Sequence, residues 1–143
     1  MTSTVYVVDD AAEYRGLIKQ IFQQFLPQYS VRFFASGDEL YDELTAETKP
    51  RQPGLILLDL QLPGRDGFAM LQFIRQPDQW PHVPVVVMTS MVQQTDIDAC
   101  YEAGASAILQ KSMSFEQLTD MLRITCTYWI ELNRRPRIDT RQF

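Results

Sequence analysis

The chain has 143 residues, 45% of them hydrophobic and 22% charged, with a formal charge of −5. That length suits one domain, and the acidity argues against a general nucleic-acid surface. No stretch approaches the roughly 20 unbroken apolar residues of a membrane helix, and the Met-Thr-Ser-Thr start has no signal-peptide character, so a cytoplasmic protein without membrane contact is expected. Cys100 and Cys126 fall in helical patterns and read as small buried hydrophobes. The single histidine, His82, falls in a turn, Trp80-Pro81-His82-Val83-Pro84, away from any zinc-like spacing.

Val5 to Val8 is a short, continuous apolar run, the mark of a strand buried on both faces. Tyr14, Leu17, Ile18, Ile21, Phe22 and Phe25 follow at helical spacing up to Pro27. Val31 to Phe34 is a second strand, and Ser36-Gly37-Asp38-Glu39 a capping box for a helix through Leu40 and Leu44. A Pro- and Gly-containing loop delivers the chain to Leu55-Ile56-Leu57-Leu58, the third strand. Leu62 to Gly67 is turn chemistry before a helix with Phe68, Leu71 and Ile74. Pro84 to Met88 is the fourth strand, and a helix with Ile97, Cys100 and Tyr101 ends at Gly104. Ala105 to Leu109 is the fifth strand. Ser114-Phe115-Glu116-Gln117 caps a last helix through Leu118, Met121, Leu122, Trp129 and Leu132. Five strands alternating with five helices predict an α/β fold with one parallel sheet and right-handed crossovers. The order 2-1-3-4-5 is taken by analogy with flavodoxin-like folds.

In such a sheet, ligands bind beyond the C-terminal strand ends. There stand Asp9 and Asp10 on the first strand, Asp59 on the third, Thr89 and Ser90 on the fourth, and Lys111 just past the fifth. Clustered carboxylates with open positions suit a hard cation, magnesium best, which accepts carboxylates together with phosphate oxygens. Asp59 is the candidate nucleophile, since a carboxylate can carry a phosphoryl group, and Lys111 would balance the arriving charge. Singly, each residue has an ordinary explanation: a helix cap, a loop acid, a turn hydroxyl, a surface lysine. The joint arrangement favours the metal-and-phosphate reading.

The chain resembles the receiver domain of two-component response regulators over roughly residues 4–122. The resemblance rests on Val7-Val8-Asp9-Asp10, Leu57 through Gly67, Val85 through Ser90, and Gly104-Ala105 with Leu109-Gln110-Lys111. It implies a flavodoxin-like receiver fold in which Asp59 accepts phosphate from a sensor histidine kinase or histidine phosphotransfer protein. It further implies that Mg2+ is bound by Asp10, Asp59 and the Gln61 backbone carbonyl, with Asp9 helping through water. Thr89 would swing to the phosphoryl group, and Lys111 would pair with it. Where the family usually has an aromatic residue and a proline, this chain has Ile108 and Ser112, which places the switch mainly on Thr89. Gln61 and Met91 occupy positions that tune phosphate lifetime in the family.

Residues 1–132 therefore read as the receiver with a long last helix, and 133–143 as a basic tail with Arg134, Arg135, Arg137 and Arg141. No DNA-binding output domain is expected in this chain. Tyr128-Trp129-Ile130, with Leu132, predicts either cover for the domain's own edge or a homodimer contact, and the segment weakly resembles the ending of stand-alone receivers that work with phytochromes. Two other readings stay open: a phosphatase with an aspartate nucleophile, which would need an acid where Gln61 stands, and a receiver-like interaction module without phosphorylation.

Overall fold

The computed structural model describes residues 3–90 and 93–136. Five parallel strands, β1 (Thr4–Val8), β2 (Ser30–Phe34), β3 (Leu55–Leu58), β4 (Val85–Thr89) and β5 (Ala107–Gln110), form one sheet in the order β2-β1-β3-β4-β5. Between them run α1 (Ala12–Phe25), α2 (Gly37–Leu44), α3 (Gly67–Ile74), α4 (Gln94–Glu102) and finally α5 (Phe115–Cys126). This strand order is that of a flavodoxin-like fold.

Successive strand residues point to opposite faces, so each apolar run feeds two cores. Val5, Val7, Leu55, Leu57, Val86 and Met88 join α1 and α5 on one face. Tyr6, Val8, Ile56, Leu58, Val85 and Val87 join α2, α3 and α4 on the other. Because β1 and β3 are neighbours, with Val8 paired to Leu58, their C-terminal ends open side by side at the switch point.

Caps and turns set the helix positions. The Ser36 hydroxyl accepts from the Glu39 amide at α2, and Asp66 accepts from the Ala69 amide at α3. The second half of each expected capping box reaches past the cap: Glu39 accepts from the Ala35 amide, one residue before Ser36, and Gln117 accepts from the Ser112 hydroxyl, two residues before Ser114. Gly104 follows α4 at φ +107°, and a side chain there would also meet Arg75. Arg75 donates to the carbonyls of Val83 (2.6 Å), Gly104 (2.8 Å) and Trp80 (3.2 Å), tying the approaches to β4 and β5 together.

The expected continuous last helix is corrected: α5 widens after Cys126 into a π-helical turn, Thr127–Leu132, closed by the Asn133 amide on the Tyr128 carbonyl at 2.7 Å. Apolar residues at steps of four drift off one face of an α-helix, and a wider turn brings them back. Ile130 accordingly packs toward Gly54, and Trp129 leans on the α1–α5 core. The Tyr29 hydroxyl donates to Glu131 at 3.0 Å, securing the turn from the other side. Ile124, Tyr128 and Leu132 are 68%, 50% and 65% exposed.

Both cysteines are buried and free, and burial pushes the Cys126 thiol up to about 12, which makes it unreactive. His82 is exposed in its turn. Arg135 donates to Gln52, while Arg137 and Arg141 lie outside the described residues. Strands β2 and β5 form the sheet edges, and Arg32 in the middle of β2 is ion-paired with Glu43. No helix among the described residues is long and apolar enough to cross a membrane.

Candidate functional site

Asp9 and Asp59 each follow the last residue of a buried strand, so the neighbouring ends of β1 and β3 deliver two carboxylates to one cleft. Both are buried, at 3% and 5% exposure, while Asp10 is exposed at the rim. Carboxylate oxygens of Asp9, Asp10 and Asp59 all lie within 4.8 Å of one another. From past the end of β5, Lys111 sends its ammonium between the two buried acids, 2.6 Å from Asp9 and 2.9 Å from Asp59. The Lys111 amide donates to the Thr89 carbonyl at 2.9 Å, which fixes where the lysine leaves the backbone.

Local hydrogen bonds hold the acids in place. One Asp9 oxygen accepts from the Ala11 amide at 2.9 Å, so Asp9 braces the turn before α1. It does not cap that helix, whose N-cap position is Ala11. One Asp59 oxygen accepts from the Gln61 amide at 3.2 Å, and Leu60 and Leu62 anchor the following loop in the core. Gly67 closes this loop by donating to the Leu60 carbonyl at 3.0 Å.

Burial lifts the Asp59 carboxyl above its ordinary range, an effect that Lys111 and the Gln61 amide only partly oppose. Burial also works against the Lys111 charge, but Asp9 and Asp59 outweigh it and raise the ammonium's pKa. Three acids thus share the cleft with a single ammonium, which leaves it short of positive charge. Oxygen donors on three acids, arranged around one face already served by Lys111, fit a hard divalent cation.

Thr89 ends β4 as a buried residue, 2% exposed, paired across the sheet with Gln110. The β3–β4 register, Leu58 with Val87, carries Thr89 one step beyond the level of Asp59. Ser90 and Gln61 are exposed, and Met91 lies outside the described residues. Ile108 is partly buried against the α2–α4 core, on a different face from the acids. The Lys111–Ser112 peptide is trans. Two neighbours escaped the sequence reading. Arg15 donates to the Asp9 carbonyl at 2.7 Å, and the Tyr14 ring lies 4.8 Å from the Lys111 ammonium. Their placement on the first turn of α1, within six residues of Asp9, was the available signal.

Residues 5–123 match the response regulator receiver domain. The chain belongs to that family. Among its relatives, the receiver is 39% identical over 85 residues to the response regulator Rcp1 of Synechocystis sp., covering 59% of this chain and 57% of Rcp1. It is 33% identical over 124 residues to the KDP operon transcriptional regulatory protein KdpE of Escherichia coli, covering 87% of this chain and 51% of KdpE. The matched region thus spans about half the length of these two relatives. In three dimensions the receiver resembles the phosphorylated cyanobacterial phytochrome response regulator RcpA, with a TM-score of 0.85 and 26% identity over 96% of this chain and 100% of that one. It also resembles the Mn2+-bound form of Rcp1, with a TM-score of 0.81 and 28% identity over 94% and 99%.

Proposed function

We propose that this receiver is a phosphorylation-switched member of a two-component phosphorelay, with Asp59 as phosphoacceptor. The observation that carries the reading is the Lys111 ammonium held between buried Asp9 and Asp59, with Asp10 close by, one cation among three acids. A phosphohistidine on a sensor histidine kinase or phosphotransfer protein is the donor. An Asp59 carboxylate oxygen attacks phosphorus, the P–N bond breaks, and the imidazole leaves with the electron pair and takes up a proton. Lys111 then transfers its contact from Asp59 to a phosphoryl oxygen, and the Thr89 hydroxyl donates to another. Asp10, Asp59 and the Gln61 carbonyl would hold Mg2+, with Asp9 acting through water; when bound, Mg2+ neutralises charge shared between the carboxylates and the phosphoryl oxygens. RcpA in its phosphorylated form and Rcp1 with Mn2+ support this chemistry by likeness. A cytoplasmic setting suits a phosphorelay.

Incubation with acetyl phosphate or beryllofluoride, with and without magnesium, tests the proposal by intact mass and amide NMR. Magnesium-dependent uptake that disappears in Asp59→Asn is expected. Uptake by the Asn variant, or none by the wild type, would defeat it.

We further propose that the protein pairs with a second copy through its last helix. Ile124, Tyr128 and Leu132, spaced by four, form an exposed apolar stripe. Symmetric dimers are the commonest closed assembly, and exposed apolar surface of this kind marks an interface. Trp129 and Ile130, half-buried against the α1–α5 core, offer such a contact less surface than Tyr128 and Leu132.

A further inference from the structure

Tyr14 is 3% exposed, yet its hydroxyl has no hydrogen-bond partner among the described residues. A buried phenol without a partner is uncommon, and phenylalanine would fill the same space without stranding a polar atom. The ring is already in use: its centroid lies 4.8 Å from the Lys111 ammonium. Lys111 is thus held from three sides, by Asp9, by Asp59 and by an aromatic ring. Its backbone leads directly into the β5–α5 loop. There the Ser112 hydroxyl accepts from the Ser114 amide and donates to Gln117, while Met113 is 70% exposed. Burial raises the pKa of the phenol, and the neighbouring Lys111 charge and Ser112 amide oppose that shift. The ring therefore touches the ammonium of a residue whose backbone enters that loop, and the ring carries a buried, unpartnered oxygen.

We propose that Tyr14 is a positioning residue for Lys111 and that its spare hydroxyl couples the ammonium to the β5–α5 loop. The inference rests on Asp59 being the phosphoacceptor. The ring keeps the ammonium in the cleft while Asp59 is free. When Lys111 moves from Asp59 to a phosphoryl oxygen, the Ser112 amide closes on the phenol oxygen and donates to it. The loop and the first turn of α5 follow. Arg15, one residue on, fixes the Asp9 carbonyl and so keeps α1 from shifting with them.

Two variants separate ring from hydroxyl, read by amide NMR, the Lys111 ammonium resonance and magnesium-dependent beryllofluoride binding. Tyr14→Phe is expected to leave that resonance and the binding affinity within twofold of wild type, while at least halving the induced shifts at Ser112 to Gln117. Tyr14→Leu is expected to move the resonance and weaken binding at least tenfold, so that Phe, but not Leu, rescues the site. Wild-type loop shifts in Tyr14→Phe, or an unmoved resonance in Tyr14→Leu, would overturn the inference. If Tyr14→Leu does not fold, the loop shifts of Tyr14→Phe decide alone. Absence of beryllofluoride binding in the wild type would sink the phosphoacceptor reading itself, while the resonance in the Leu variant still judges the positioning role.

Discussion

The backbone of Gly67 lies against that of Asp59: a β-carbon on Gly67 would overlap the Asp59 carbonyl oxygen and stand 2.5 Å from Leu60 Cα. The obstacle is backbone, not a side chain that can swing away, so the start of α3 and the Asp59 loop are fitted to one another. Gly67→Ala is expected to destabilise the protein by roughly 1–3 kcal/mol, as overpacking does. It should also shift the Asp59 and Gln61 amides in NMR spectra. A variant with wild-type stability and unshifted amides would disprove the close fit.

Burial works against the charge on Asp59. Because its carboxyl titrates above the ordinary value in the folded protein, folding is favoured by its protonation, and that contribution is lost as pH rises through the folded pKa. Asp59→Asn leaves Lys111 paired with Asp9 and removes the unfavourable charge. The variant should melt above wild type at pH 7. The gain should shrink as pH falls from neutrality toward 3.8, the carboxylate's ordinary value. A variant that melts below wild type at pH 7 would contradict this.

Lys111→Met keeps the aliphatic stem and deletes the charge, leaving Asp9 and Asp59 in the cleft with neither a cation nor water enough to solvate them. A loss of roughly 3–5 kcal/mol is expected in metal-free buffer, the usual cost of breaking a buried ion pair from one side. Millimolar magnesium should restore part of that stability, and more in this variant than in wild type. Denaturant unfolding with and without magnesium measures both. Equal magnesium effects in the two proteins would count against a cation site at these acids.

The Thr89 hydroxyl is expected to carry the switch, since Ile108 packs into the α2–α4 core and has no ring to reorient. Thr89→Ala should retain beryllofluoride binding but lose the induced NMR shifts in α4 around Ile97 and Tyr101. Ile108→Ala, if folded, should keep them. The reverse pattern would place the switch on β5.

For the dimer, a Tyr128→Glu, Leu132→Glu double variant should remain folded and sediment as a monomer, because both side chains point outward. Sedimentation of wild type at tens of micromolar should show a dimer. A monomeric wild type, with and without beryllofluoride, rules the contact out.

The strands and the acids at their ends were legible because a parallel sheet buries both faces. Runs such as Leu55 to Leu58 leave few other homes, and the first polar residue after each run marks the cleft. Strand order was not contained in the periodicity and came by analogy. Tyr14 was visible only as one more apolar position of α1, since helical spacing reports a face and not what the face touches. Arg75 was missed because its three carbonyl partners lie 5, 8 and 29 residues along the chain. The π turn left one trace, three large apolar residues in succession. Adjacent residues cannot share an α-helical face, and the chain resolves this by widening the helix so that Trp129 and Ile130 turn inward while Tyr128 faces out.

The pairing of Arg32 with Glu43 has a consequence for concentrated solutions. Strand β2 ends the sheet with one row of its amides and carbonyls unmatched by any other strand among the described residues, a template on which another polypeptide could add itself. Arg32 sits in the middle of that five-residue strand, and an incoming strand would have to accommodate its charged, half-exposed side chain. Arg32 thereby acts as a gatekeeper against edge-to-edge aggregation. Its replacement by valine should speed fibril or amorphous deposit formation on gentle heating, as light scattering would record, with little change in the folded state.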